Sequence, residues 1–212
     1  MSRCWLFVFS ILAFIAVVAP GAARADGVPP ITGDDVVLGK ADAPVTIIEY
    51  ASLSCPHCAE FEAETWPQVK KEWLETGKAK YVFRDFPLNG PAFRGSLLAR
   101  CAARAEFYPF IEELYANQNT WVSDDEAATM TALQRIGVVG RVSADRFAAC
   151  QADKTLQQKI AASEAAAQAA GVDSTPTFFI NGTKVAGALA YSDFNKALQT
   201  AAAAAVAAAK TP

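Results

Sequence analysis

The sequence predicts an α/β fold: a small mixed sheet whose chain is interrupted by an inserted all-helical block. Three observations carry that expectation. Strand-like runs stand in both halves of the chain, at 45–52 and Tyr81–Phe86 and again at Thr177–Ile180 and Thr183–Ala186. Between them, from about residue 91 to 170, the apolar residues recur only at helical spacing. Directly after the first strong strand comes Cys55-Pro56-His57-Cys58, a dithiol spacing at the start of a helix.

The elements follow in order. Gly27 to Ala43 is a lead-in with one short strand candidate, Val36-Val37-Leu38. Pro44 introduces the strand 45–52. In the helix after the dithiol, Cys58, Phe61, Thr65, Trp66, Val69 and Trp73 share one apolar face. Pro67 is expected to kink that helix, and Gly77 to end it from the position just beyond. The strand at 81–86 stops at Pro87 and Asn89-Gly90-Pro91.

In the helical block, Phe93, Leu97, Leu98 and Cys101 form one face; Phe107, Phe110, Ile111 and Leu114 form the next; then come Met130, Leu133 and Ile136. Ser143 reads as an N-cap with Val142 and Phe147 as a hydrophobic staple. An Ala-rich helix from about 153 ends at Gly171. Asn181-Gly182 between two β-like runs is a type I′ hairpin signal. Ser192 is expected to cap a last helix running to about Ala208. The central strands should be 45–52 and 80–86, with the hairpin of 177–180 and 183–187 antiparallel at one side.

The 212 residues carry 19 basic and 22 acidic side chains, five cysteines and one histidine. Arg3, the apolar run Trp5–Val18 and the small-residue site Ala23-Arg24-Ala25 read as a cleaved secretory leader. The apolar stretch is short for a ~20-residue membrane span. Division of the chain follows: leader 1–25, first part of the core 26–90, helical insertion 91–170, second part of the core 171–212. Arg3 and Arg24 leave with the leader, so 17 basic residues face 22 acidic ones, a net charge of −5 that argues against nucleic acid as partner. The expected product is exported.

Pro56 suits the first helical position, which places Cys55 at the N-cap. Its sulfur then faces free backbone N–H groups and the positive end of the helix dipole. The ring of His57 adds a donor or cation within reach. All three favour the thiolate, so Cys55 is the expected attacking sulfur and the more buried Cys58 the resolving one. His57 is the only histidine, which excludes a triad built on a separate one and leaves a Cys2His2 zinc site short of ligands. Cys101 and Cys150 lie on apolar faces of separate helices, and the even count in an exported chain favours a structural disulfide closing about 50 residues over two buried thiols. Thr175-Pro176 precedes a strand: a cis bond there would turn the Thr175 backbone toward the dithiol, while a trans proline would only start the strand.

Cys55-Pro56-His57-Cys58, Thr175-Pro176 and the helical insertion together resemble the DsbA family of periplasmic thiol:disulfide oxidoreductases, over about Val36 to Ala209. The resemblance implies a thioredoxin fold, a cis bond at Thr175-Pro176, and Pro56, Thr175 and Pro176 as substrate-binding residues. It implies that Glu49 lies beneath the dithiol and assists proton movement. A carboxylate buried there would have a raised pKa, with Arg84 or Lys80 as partner; the alternative is a solvated glutamate facing an edge. It further implies a monomer that oxidises unfolded or reduced exported proteins in the periplasm and is reoxidised by a DsbB-like membrane oxidase. No bound cofactor or metal is expected, because the Cys55–Cys58 disulfide carries the electrons. Phe86-Pro87-Leu88 and Leu189-Ala190-Tyr191 are candidates either to line an apolar groove beside it or to belong to the core. Thr175 departs from the valine of the best-studied oxidases. The second cysteine pair is similar to that of alphaproteobacterial DsbA-like proteins. The alternatives are a disulfide isomerase or reductase and, from another class, a metal-handling or chaperone module.

Overall fold

The structure, a computed structural model, describes residues 27–210. The expected leader at 1–25 therefore lies outside the described residues. Five strands form one sheet: β1 (Val37–Gly39), β2 (Val45–Ala51), β3 (Ala79–Asp85), β4 (Thr177–Ile180) and β5 (Thr183–Ala186), in the order β1-β3-β2-β4-β5. β2 and β3 run parallel, with Ile47 opposite Tyr81 and Glu49 opposite Phe83. The other three pairings are antiparallel. β1 begins at Val37, one residue later than the expected Val36, and β3 ends at Asp85. β2 lies at the centre, which is why six of its seven residues are buried and it reads as a nearly continuous apolar run. The tight turn between β4 and β5 uses Asn181 at φ 47° and Gly182 at φ 87°, the two left-handed positions of a type I′ turn.

Alternation along the strands sorts the core into two layers. Ile47, Ala51, Tyr81 and Phe83 pack with Cys58, Phe61 and Trp66 and with Leu98, Phe110, Ile111 and Leu133 on one face. Ile48, Tyr50, Val82 and Phe179 pack with Phe86, Ala167 and Val172 on the other.

The helix after β2 is α1 (Pro56–Glu64). It breaks at Thr65 and continues as α2 (Trp66–Val69) into one wide π turn at Lys70–Leu74. The break falls two residues before Pro67, which has no N–H to donate and whose ring crowds the turn behind it. Beyond the π turn, Gly77 at φ 74° and Lys78 donate back to Leu74 and Trp73, a glycine-based C-cap.

Residues 90–169 hold α3 (Gly90–Cys101), α4 (Phe107–Ala116), α5 (Gln118–Trp121), α6 (Glu126–Val139), α7 (Ala144–Ala152) and α8 (Lys154–Ala169). Asn89, Asp125, Ser143 and Asp153 cap α3, α6, α7 and α8 through their side chains. The last helix, α9 (Tyr191–Ala209), departs from expectation: Ala190, not Ser192, is its N-cap, and no side chain caps it. Its entry is held instead by the Thr65 hydroxyl, which donates to the carbonyl of Leu189 at 2.8 Å, so Ser192 falls inside the first turn.

Candidate active site

The dithiol sits where β2 passes through a short turn into α1. Cys55 is the N-cap, in extended conformation (φ −79°, ψ 122°), with Pro56 at the first helical position. Both sulfurs are free thiols and both residues are buried, Cys58 completely. The Thr175-Pro176 bond is cis. Across the site the Cys55 thiol donates to the Thr175 carbonyl at 3.3 Å, so residues 120 positions apart in sequence meet at the sulfur.

These surroundings separate the two thiols. The Cys58 thiol gives the largest pull on Cys55; burial opposes it. The Thr175 side chain and the backbone N–H groups of Cys58 and His57 add to the pull, bringing Cys55 down to about 5. The Thr175 hydroxyl is buried with no hydrogen-bond partner beside the neutral thiol, and ionised sulfur offers it an acceptor. Burial pushes Cys58 the other way, well above an ordinary thiol, and its hydrogen bond with Cys55 and the nearby Glu49 raise it further.

The His57 ring is not where the sequence argument put it. It is exposed, and its Nδ1 lies 3.2 Å from Glu60 Oε2 one turn along α1. His57 reaches the sulfur through its backbone N–H. Position N2 of a helix aims the amide inward and the side chain outward, which explains the difference.

Glu49 is buried beneath the dithiol, and desolvation lifts it to about 8 against the hydrogen bond from Tyr81, with the Cys55 charge adding to the rise. Neither Arg84 nor Lys80 pairs with it. The Tyr81 hydroxyl donates to its carboxylate instead. Register is the reason: Tyr81 and Phe83 share the face of Ile47 and Glu49, whereas residues 80 and 84 point to the opposite side. There Arg84 donates to Asp35, Tyr50 and the carbonyls of Pro29 and Pro30, and Lys80 donates to the carbonyl of Ala41.

Residues the sequence argument did not single out complete the site. Glu62, on α1, is raised to about 9 by burial and by Glu49 and Glu112, with Lys70 pulling it down. Glu112 accepts from Lys70 Nζ at 2.7 Å and from Trp66 Nε1 at 3.3 Å. A row of acids thus runs from beneath Cys58 toward the half-exposed Lys70–Glu112 pair. Glu62 was legible in principle, one helical turn from Cys58, but carboxylates on a helix usually face water. Of the suggested groove, Phe86 belongs to the opposite core layer, while Leu88 is exposed and Leu189 and Tyr191 are half-buried. Cys101 and Cys150 are joined by a disulfide between α3 and α7. Among the described residues no group of three or more His, Cys, Asp or Glu side chains is placed to hold a metal ion.

A family model described as Thioredoxin matches residues 31–200. The chain belongs to the thioredoxin family. Within the family its likeness is to DsbA. The alpha-DsbA1 structure of Wolbachia pipientis has a TM-score of 0.80 at 28% sequence identity, over 88% of this chain and 100% of that one. BdbD of Bacillus subtilis, at 20% identity and a TM-score of 0.74, shares the thioredoxin fold over 83% of this chain and 97% of its own. In sequence, a Rickettsia typhi protein carrying the provisional name protein-disulfide oxidoreductase is 31% identical over 156 residues, or 73% of this chain. Disulfide bond formation protein D of Bacillus subtilis is 26% identical over 189 residues, 82% of this chain and 79% of that protein. The chain spans 57% of the length of the Rickettsia relative.

Proposed function

We propose that the protein is a thiol:disulfide oxidoreductase that introduces disulfide bonds into exported proteins. The observation that carries this is the geometry of Cys55: a sulfur at a helix start, drawn toward thiolate, facing the carbonyl before a cis proline, with a more basic thiol behind it. A site that stabilises the reduced thiolate makes its disulfide a stronger oxidant, a link for which DsbA is the standard example.

The chemistry runs in two exchanges. A substrate thiolate attacks Cys55 Sγ of the oxidised protein; the Cys55–Cys58 bond breaks, and Cys58 leaves as a thiolate that takes a proton from neutral Glu49. A second substrate thiolate then attacks the substrate sulfur of the mixed disulfide and releases Cys55 as its stable thiolate. The substrate loses two electrons and the dithiol gains them. In the reverse direction Cys58 resolves the mixed disulfide and Glu49 accepts its proton. The edge of Thr175, with Pro56 and Pro176, pairs with the substrate backbone, and His57 contributes its amide to the sulfur.

The same reading includes export by the leader 1–25 to the periplasm and a monomer with 91–170 as an inserted domain in a core of 26–90 and 171–212. It also includes reoxidation by a DsbB-like membrane oxidase. Equilibration of the Cys55–Cys58 pair with glutathione tests it, in protein with Cys101 and Cys150 replaced by serine. The expected midpoint lies well above the glutathione pool, with oxidation of a reduced substrate that disappears in Cys55→Ser. A midpoint near −270 mV, the thioredoxin value, would move the function to a reductase or isomerase.

A further inference from the structure

The turn that carries Cys55 is fastened by the helical insertion. Its Ser52 carbonyl accepts the Cys55 N–H at 3.0 Å, closing the turn, and also the Tyr115 hydroxyl at 3.3 Å. Gln118, buried at the start of α5, donates from one amide nitrogen to the carbonyl of Leu53 at 2.9 Å and to that of Cys55 itself at 3.0 Å. The Cys55 carbonyl also accepts from Ala59 and so begins α1. A side-chain amide has two N–H donors in one plane, so Gln118 sets the relative tilt of the two peptide planes that flank the Ser54-Cys55 pair. The direction of the Cys55 carbonyl is the ψ of Cys55, and that angle aims Sγ at the N–H groups of His57 and Cys58.

We propose that Gln118 is a positioning residue for Cys55: it clamps the turn so that the thiolate is held against the start of α1. The proposal rests on the reading of Cys55 as the reactive thiolate. It separates a local effect on the reduced form from general support of the fold. In the oxidised form the Cys55–Cys58 bond itself orients Sγ, so loss of the clamp there costs packing but no thiolate contacts. In the reduced form it costs both.

The test is Gln118→Met, close in volume but unable to donate, measured beside the wild type in two ways: thiolate absorbance against pH, and the equilibrium constant with glutathione. The wild type titrates near 5 if the reading of Cys55 is right. In the variant the midpoint should rise by about one pH unit and the disulfide should become about tenfold less oxidising, close to 30 mV for this two-electron couple. An unchanged midpoint and equilibrium constant, with both redox forms destabilised equally, would make Gln118 merely structural and overturn the proposal. A wild-type midpoint near that of free cysteine would instead sink the reading of the site. Should Gln118→Met fail to fold, Gln118→Asn, whose amide is one methylene too short to reach both carbonyls, is read by the same criteria.

Discussion

At neutral pH the buried site carries its negative charge on sulfur. Cys55 ionises near 5, whereas Glu49 holds its proton to about 8 and Glu62 to about 9. One anion in the cluster is tolerated and a second is resisted, because like charges in a poorly hydrated space repel strongly. The arrangement leaves Glu49 neutral, the state from which the proposed exchange has it hand a proton to Cys58. It also costs stability. A carboxyl whose folded pKa exceeds its unfolded value of ~4.3 is neutral for the fold at pH 4; it opposes folding increasingly as pH rises toward 8, where the folded form also ionises. Glu49→Gln keeps an acceptor for the Tyr81 hydroxyl and removes the titration. Denaturation curves should show the variant unchanged near pH 4 and more stable at pH 7.5, by on the order of 1–3 kcal/mol. Its disulfide exchange should slow by on the order of tenfold or more for want of the proton carrier. Equal stability at both pH values would place Glu49 outside this role.

Among the elements, the helices between β3 and β4 meet at close quarters, and one glycine shows how close. Gly140 follows α6, and a Cβ built there would lie 1.7 Å from Phe110 Cε2 on α4. The Phe110 ring is buried, so it has little room to move aside. Gly140→Ala should destabilise the protein by ~1–3 kcal/mol through overpacking, seen as a lower denaturation midpoint. A variant as stable as the wild type would mean the ring relocates freely. No sequence signal marks Gly140 as more constrained than Gly33, where a Cβ meets nothing within 4 Å; the difference lies in a contact thirty residues away. The caps were more legible. Ser143 caps α7 because its hydroxyl, four residues before a staple partner, is a local pattern. Ser192 does not cap α9, because a contact from Thr65, more than a hundred residues earlier in the chain, sets where that helix begins.

Two long-range ties hold the whole molecule in shape. Arg84 fastens the lead-in to the sheet through Asp35 and the carbonyls of Pro29 and Pro30. There burial pushes the Asp35 carboxyl up, but the Arg84 hydrogen bond, the Thr32 N–H and the charges of Arg84 and Arg100 together outweigh it and keep the carboxyl below its usual range. The Cys101–Cys150 disulfide joins α3 to α7 across 49 positions. Closing a loop of that length restricts the unfolded chain, by the chain-entropy estimate about 4 kcal/mol, with 2–4 the usual range. Replacing both cysteines by alanine should lower the thermal midpoint while the Cys55–Cys58 pair still exchanges with glutathione. Unchanged thermal stability would show that the packing of α3 on α7 suffices without the bond.

Sequence alone determined what depends on near neighbours along the chain. The strand entering a dithiol helix, Cys55 at its N-cap behind Pro56, the glycine stop at Gly77 and the Asn181-Gly182 turn each rest on residues within a few positions of one another. Local periodicity likewise separated the helical stretch of about 91–170 from the strands on either side. The tertiary structure decided whatever turns on register and crossing. Which face of β3 meets Glu49 depends on how β2 and β3 align. A one-residue slip would have brought Arg84 to Glu49 in place of Tyr81. The partnership of Cys55 with Thr175, the row from Glu49 through Glu62 to Glu112, and the grip of Gln118 on the Cys55 turn all join segments far apart in sequence. No local preference encodes such contacts; they exist only once the sheet has paired and the helices have packed over it.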